Sequence, residues 1–322
     1  HVDGFRFDLA SALSRGEFGE PLRSPPLLWE IESDPLLAGT TIIAEAWDAG
    51  GLYQVGTFIG DRFGEWNGHY RDDVRSFVRS DPGQSLQVSL RVVGSPDVYP
   101  GIDRNIRRTV NFVTSHDGFT LNDLVSYNNK HNELNGEQNR DGANDNRSWN
   151  CGVEGPTTDP AVDALRVRQI KNFYTILFMS LGTPMISMGD EVRRTQFGNN
   201  NVYCQDNELG WFDWNAVHAN ADLLRRLLLA VLARLVQTIA KQVARLLSQD
   251  RPRCHRRRQH DRERTLGLVL HSDRQPPLVL RHDTDFQITG LNRRKDILRL
   301  RRGLVVRPWV CGVGRKRQCD GS

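Results

Sequence analysis

Three short runs of apolar residues each end in a carboxylate: Gly4-Phe5-Arg6-Phe7-Asp8, Thr40-Thr41-Ile42-Ile43-Ala44-Glu45 and Asn111-Phe112-Val113-Thr114-Ser115-His116-Asp117. Their length and β-branched or aromatic content suit strands rather than helices. Between them lie stretches with helical spacing, and strand, helix, strand is the unit of a parallel sheet with helical crossovers. An α/β fold follows. Because every strand of such a sheet runs the same way, the three acids collect at one end of it.

Residues i and i+2 of a strand share a face, so Arg6 and Asp8 face one pocket. A guanidinium beside Asp8 holds it ionised, as a carboxylate nucleophile requires. Alone, the pair is equally a structural ion pair at a strand end. Three strand-terminal acids together form a constellation.

At these residues the chain resembles the α-amylase superfamily of glycoside hydrolases, whose three later signature segments look like GFRFDLA, IAEAWD and FVTSHD. The run HDGFTLNDLVSYNNKHNELNGEQNRDGANDNRSWNCGVEGPT and the segment GDEVRRTQFGNNNVYCQDNELGWFDWN resemble its debranching branch, the bacterial glycogen debranching enzymes and isoamylases. The resemblance covers residues 1 to 224. It implies retaining hydrolysis of α-1,6 branch links in glycogen or limit dextrin, with Asp8 as nucleophile and Glu45 as general acid/base. Asp117 is then the third acid, binding substrate hydroxyls beside His116. Arg6 and Trp47 complete the expected site, Arg6 keeping Asp8 charged and burial near Trp47 keeping Glu45 protonated. Water and two carboxyl groups suffice for this chemistry, so no cofactor is expected.

Along the chain, Leu9 to Leu13 reads as the start of a helix and Pro25 to Asp34 as a second. A strand is expected around Arg62 to Trp66, then a helix over Tyr70 to Arg79 with Val74, Phe77 and Val78 on one face. Thr109 to Thr114 supplies the next strand. Asn128 to Thr158 is a polar insertion in which Trp149 either stacks on sugar or anchors the loop. Residues 165 to 181 form a helix whose stripe, Ile170, Phe173, Tyr174, Leu177, Phe178 and Leu181, belongs to the core. Gly182-Thr183-Pro184 stops it, and Met185 to Met188 reads as the last strand, followed by Asp190-Glu191. Asn199, Asn200, Gln205 and Asp206 either line a subsite or serve turns. By resemblance the five strands are numbers four to eight of a (β/α)8 TIM barrel, so a partial barrel is expected, with earlier strands preceding His1.

Composition breaks after residue 215. Up to there Asp and Glu outnumber Lys and Arg by 30 to 19; beyond, arginine dominates and Phe286 and Trp309 are the remaining aromatics. Residues 1–224 are therefore expected to be catalytic domain and 225–322 an irregular or disordered Arg-rich region, which reads as out-of-frame translation of a GC-rich gene. An arm binding nucleic acid is the rival, and a glucan-binding chain without turnover is the alternative to hydrolysis. The expected partner is branched α-glucan, with neither nucleic acid nor membrane. Five cysteines without paired spacing suggest no disulfide framework or zinc site and fit a reducing cytoplasm.

Overall fold

The computed structural model describes residues 2–100 and 106–249. Five strands, β1 (Gly4–Phe7), β2 (Thr41–Ala44), β3 (Gly64–Trp66), β4 (Thr109–Phe112) and β5 (Thr183–Met185), form one parallel sheet in the order β1-β2-β3-β4-β5. Among the described residues β1 and β5 are open edges. The expected α/β class and parallel sheet are present.

The two faces of the sheet differ. On one, Trp66, Val110 and Phe112 pack with Ile43 and Met185. On the other, Ile42 and Ala44 join Phe63, Leu28 and Tyr99. Period-two alternation along β2 assigns Ile42 to one face and Ile43 to the other. Arg6 pairs with Ile43 in the parallel register, so Arg6 belongs to the face of Trp66.

Helices α1 (Pro26–Ser33), α2 (Gly68–Val78), α3 (Ser85–Val92), α4 (Leu121–Leu124), α5 (Pro160–Met179), α6 (Asn215–Ala219) and α7 (Ala221–Gln249) complete the regular structure. Asn67 starts α2: its side chain accepts from Tyr70 N at 2.9 Å and donates to Ser95 Oγ and Thr109 Oγ1, tying the helix to β4. Pro160 follows the N-cap Asp159 of α5, a favoured start. At its far end, Arg234 from α7 donates to Phe178 O at 2.5 Å and Ser180 O at 2.8 Å, satisfying terminal carbonyls. Ile170, Phe173, Tyr174, Leu177 and Phe178 are buried with Tyr70, Val74, Leu223 and Leu227.

Several boundaries differ from the sequence reading. Leu9 to Leu13 is not an α-helix; a 3-10 helix spans Ala10–Ser14. The last strand is Thr183–Met185, not Met185 to Met188. Proline obscured it: Pro184 lacks an N–H, yet an edge strand tolerates it. Phe77 is exposed, because the buried arc of α2 runs from Tyr70 through Val74 and Val78 to Arg75, leaving Phe77 at its margin. Leu181 lies past the end of α5 and is partly exposed. The helix α3 was not expected; its buried face is only Val88 and Arg91, with Arg91 paired to Asp73 at 3.1 Å. The expected domain change after residue 224 falls inside α7, whose Leu227 is in the core. Expectations for the tail past residue 249 lie outside the described residues. No described helix is long and apolar enough to cross a membrane.

Candidate active site

The register of β1 and β2 sets Asp8 beside Glu45. Phe7 pairs with Ala44 and Glu45 N donates to Phe7 O at 3.0 Å, so both acids follow directly on paired strand ends. Arg6 joins them. Its Nη1 lies 2.7 Å from Asp8 Oδ1 and its Nη2 2.9 Å from Glu45 Oε2, while the guanidinium stacks 4.3 Å from the Trp66 ring centroid. The sequence anticipated the Arg6–Asp8 pair; the second arm, to Glu45, needs the strand register.

The two carboxyl groups have opposite surroundings. The Glu45 side chain is 5% exposed and that of Asp8 is 67% exposed. Burial raises the pKa of Glu45, opposed by the Leu9 N–H and by Arg6, while Asp8 pushes it further up by charge and by a shared hydrogen bond. Leu9 N donates to Glu45 Oε2 at 2.9 Å and Ala10 N to Glu45 O at 2.8 Å. To present that amide Leu9 adopts the left-handed conformation at φ 40°, unusual for a bulky side chain and typical of strain held at a site.

A cavity of about 320 Å3 opens at this end of the sheet, lined by Glu45, Trp47, Tyr53, Trp66, Phe112 and Asp117. Trp47 and Tyr53 stack at 5.9 Å with their planes 10° apart. The loop carrying both is fixed by Asp48, which binds Arg15 at 2.6 Å and accepts from Leu52 N at 3.0 Å. Arg15 draws the Asp48 carboxyl down to about 2. Arg71 also lines the cavity. Tyr53, Trp66, Arg71 and the Arg15–Asp48 clamp were missed from the sequence; aromatics and arginines near a strand end were the available signal.

Asp117 and His116 stand at the rim, with His116 Nε2 3.5 Å from Asp117 Oδ2 and the His116 ring 5.9 Å from that of Trp66. Thus Glu45, Trp47 and Asp117 line one cavity, Arg6 joins Asp8 to Glu45, and His116 meets this group through Trp66. The other candidates are held in their loops by hydrogen bonds to the protein. Asn199 and Asn200 are buried, and Asn200 exchanges hydrogen bonds with Asn132 while donating to Asn146 Oδ1 at 2.9 Å. Gln205 donates to Leu134 O and Asn135 Oδ1, and Asp206 accepts from Trp211 Nε1. Trp149 packs against the helical core, which favours the loop-anchor reading. Beyond β5, Asp190 is buried under Thr114 and Leu121 N, and burial raises its carboxyl to about 6. No cluster of three or more potential metal ligands occurs among the described residues.

No family model matches the chain, but curated relatives do. It is 57% identical over 225 residues to the glycogen operon protein GlgX homolog of Mycobacterium tuberculosis (strain ATCC 25618 / H37Rv), across 70% of this chain and 31% of that protein. The chain belongs to the isoamylase and glycogen debranching enzyme family. Within that family it is 55% identical over 223 residues to isoamylase 3, chloroplastic, of Oryza sativa subsp. japonica, covering 69% of this chain and 28% of that one. The glycogen debranching enzyme of Serratia proteamaculans (strain 568) is 48% identical over 215 residues, 66% of this chain and 32% of that one. The chain thus spans about a third of the length of these family members. Among solved structures, pullulanase from Bacillus acidopullulyticus matches 73% of this chain and 26% of its own with TM-score 0.52 at 23% identity, a likeness of fold.

Proposed function

We propose that this chain carries catalytic machinery for hydrolysing α-1,6-glucosidic branch links of glycogen or limit dextrin with retention of configuration. Its five strands are numbers four to eight of a (β/α)8 barrel, a reading supported as far as five successive parallel strands by the sheet order β1-β2-β3-β4-β5. The open edges are where further strands would pair. The carrying observation is one guanidinium shared by a solvent-facing and a buried carboxyl group.

In this reading Asp8, paired with Arg6 at 2.7 Å, attacks the anomeric carbon and forms a glycosyl ester. Glu45, whose pKa burial raises, protonates the departing O6 of the main chain. Glu45 then takes a proton from water, which cleaves the ester and regenerates both groups. A sugar seated between the carboxyls holds them about 5–5.5 Å apart, the spacing of retaining enzymes. Asp117 and His116 bind its hydroxyls at the rim, and Trp47, stacked on Tyr53, offers an aromatic wall. The relatives' names, glycogen debranching enzyme and isoamylase, support the branch link over the linear one. Branched α-glucan is the partner. We place the protein in the cytoplasm; the free thiols Cys151 and Cys204 are in keeping with a reducing compartment.

The test is release of linear glucan from glycogen limit dextrin by the chain and by its Asp8→Asn and Glu45→Gln variants. Both variants are expected to lose turnover. With α-maltotriosyl fluoride, whose leaving group needs no proton, Glu45→Gln should keep glycosylation of Asp8 while Asp8→Asn should not. Undiminished hydrolysis in either variant removes that residue from the mechanism.

A further inference from the structure

The segment between β4 and α4 carries Asp117, and little at the acid itself holds it in place. Its side chain is 69% exposed, and its carboxyl group meets His116, itself 58% exposed, at 3.5 Å. Gly118 turns the chain directly after it, at φ 104°. The position of Asp117 therefore depends on how the flanks of its segment are anchored, and both flanks are gripped by residues that follow β5.

Asp190, only 2% exposed, holds two points at once. Its Oδ2 accepts from Thr114 Oγ1 on one side of Asp117 and its Oδ1 from Leu121 N at 2.8 Å on the other. Between them, Gly118 N donates to Asn200 O at 2.9 Å. The grip is reciprocal. Asp123, fully buried in α4, accepts from Thr195 Oγ1, from Gln196 N at 2.7 Å and from Gly198 N at 3.4 Å. The segment that supplies Asn200 is thus held by the segment it holds. Each gives a buried carboxyl group to donors on the other, and a buried polar group parted from its partner is costly, so neither segment shifts alone. Hydrogen bonds are also directional; they fix where the segment lies and not merely that it is covered.

We propose that Asp190 is a positioning residue for the reaction: by holding Thr114 and the Leu121 amide, it fixes the segment from which Asp117 reaches the glucan. The proposal rests on the reading of Asp8, Glu45 and Asp117 above. A group that touches substrate and is displaced by about 1 Å can cost on the order of a hundredfold in rate, so an anchor of this kind acts without touching sugar.

The probe is α-maltotriosyl fluoride. Asp190→Ala should lower kcat/KM by about tenfold or more, whereas in an Asp117→Ala background it should change the remaining rate by less than about threefold. Asp190→Asn keeps an acceptor for Leu121 N and turns its amide to Thr114 Oγ1, and should stay within about threefold of the unsubstituted chain. Thr114→Val, which removes one donor at nearly the same shape, should shift the rate in the same direction as Asp190→Ala and serves if that variant does not fold. Equal losses with and without Asp117, a loss in Asp190→Asn as large as in Asp190→Ala, or full turnover in Asp190→Ala overturns the proposal. Amide hydrogen exchange over residues 114–121, followed by mass spectrometry, is read without turnover. It should quicken in Asp190→Ala and Thr114→Val and return to the original rate in Asp190→Asn. If the unsubstituted chain leaves the fluoride intact, the catalytic reading fails and exchange decides alone: quickening reversed by Asp190→Asn upholds the anchoring of Asp117, and unchanged exchange overturns it.

Discussion

Replacing Arg6 by methionine removes the guanidinium that touches both Asp8 and Glu45, and its two arms are unequal. The Asp8 side chain is 67% exposed, so that arm is worth roughly 0–1 kcal/mol, as for solvated ion pairs. Glu45 is 5% exposed, and orphaning a buried carboxylate costs about 3–5 kcal/mol. The stacking on Trp66 at 4.3 Å adds about 0.5–1 kcal/mol, partly kept by the methionine. Glu45 can limit the damage by taking up a proton, which burial already favours. A net loss of about 3 kcal/mol is expected at about pH 8. Without Arg6 the folded-state pKa of Glu45 rises further above its unfolded value of about 4.3. The Glu45 contribution to the deficit is therefore absent below that value and grows as pH rises through the folded pKa. Urea unfolding at about pH 5 and about pH 8 measures it; with a slope near 3 kcal/mol per M, the midpoint falls by about 1 M at the higher pH. In a double-mutant cycle, Glu45→Gln should abolish most of the Arg6→Met penalty, a coupling of about 2 kcal/mol. A deficit equal at both pH values, or additive losses in the cycle, would refute a buried carboxylate held by Arg6.

Asp190→Asn keeps an acceptor for Leu121 N and removes a carboxyl raised to about 6; wild-type stability from this group is full below about 3.9 and lost as pH rises. The variant should gain about 2–3 kcal/mol relative to wild type at about pH 8 and little at about pH 4 in parallel urea titrations; a pH-independent difference counts against this. Arg108→Met leaves Glu65, fully buried and paired at 2.5 Å, without its cation. A loss of about 3–5 kcal/mol is expected, smaller in acid where Glu65 protonates, and unchanged stability contradicts the pairing. Arg234→Ala exposes the carbonyls of Phe178 and Ser180; about 1.5–3 kcal/mol should be lost, seen as a lower Tm, and an unaltered Tm shows that α7 does not cap α5.

Local periodicity made a large part of this legible. The alternation of a strand places Arg6 and Asp8 on one side, the helical stripe of α5 marks its buried face, and acids at apolar strand ends identify the chemistry. Proline hid the start of β5, and a two-residue buried face hid α3. Asparagines in a loop looked the same whether they served sugar or each other; only the tertiary structure shows Asn199 and Asn200 buried and bonded to Asn135 and Asn132.

Which residues are chemically able to act, and on which side of each strand they stand, was determined by the sequence, since both depend on neighbours a few positions away. Tertiary structure decided how those residues differ. Register brought Glu45 to the second arm of Arg6, burial separated two similar carboxyl groups into an open one and a shielded one, and packing left Arg75 with an unanswered N–H beside Gly118. Such properties depend on solvent exclusion by segments distant along the chain, and local order alone does not encode them.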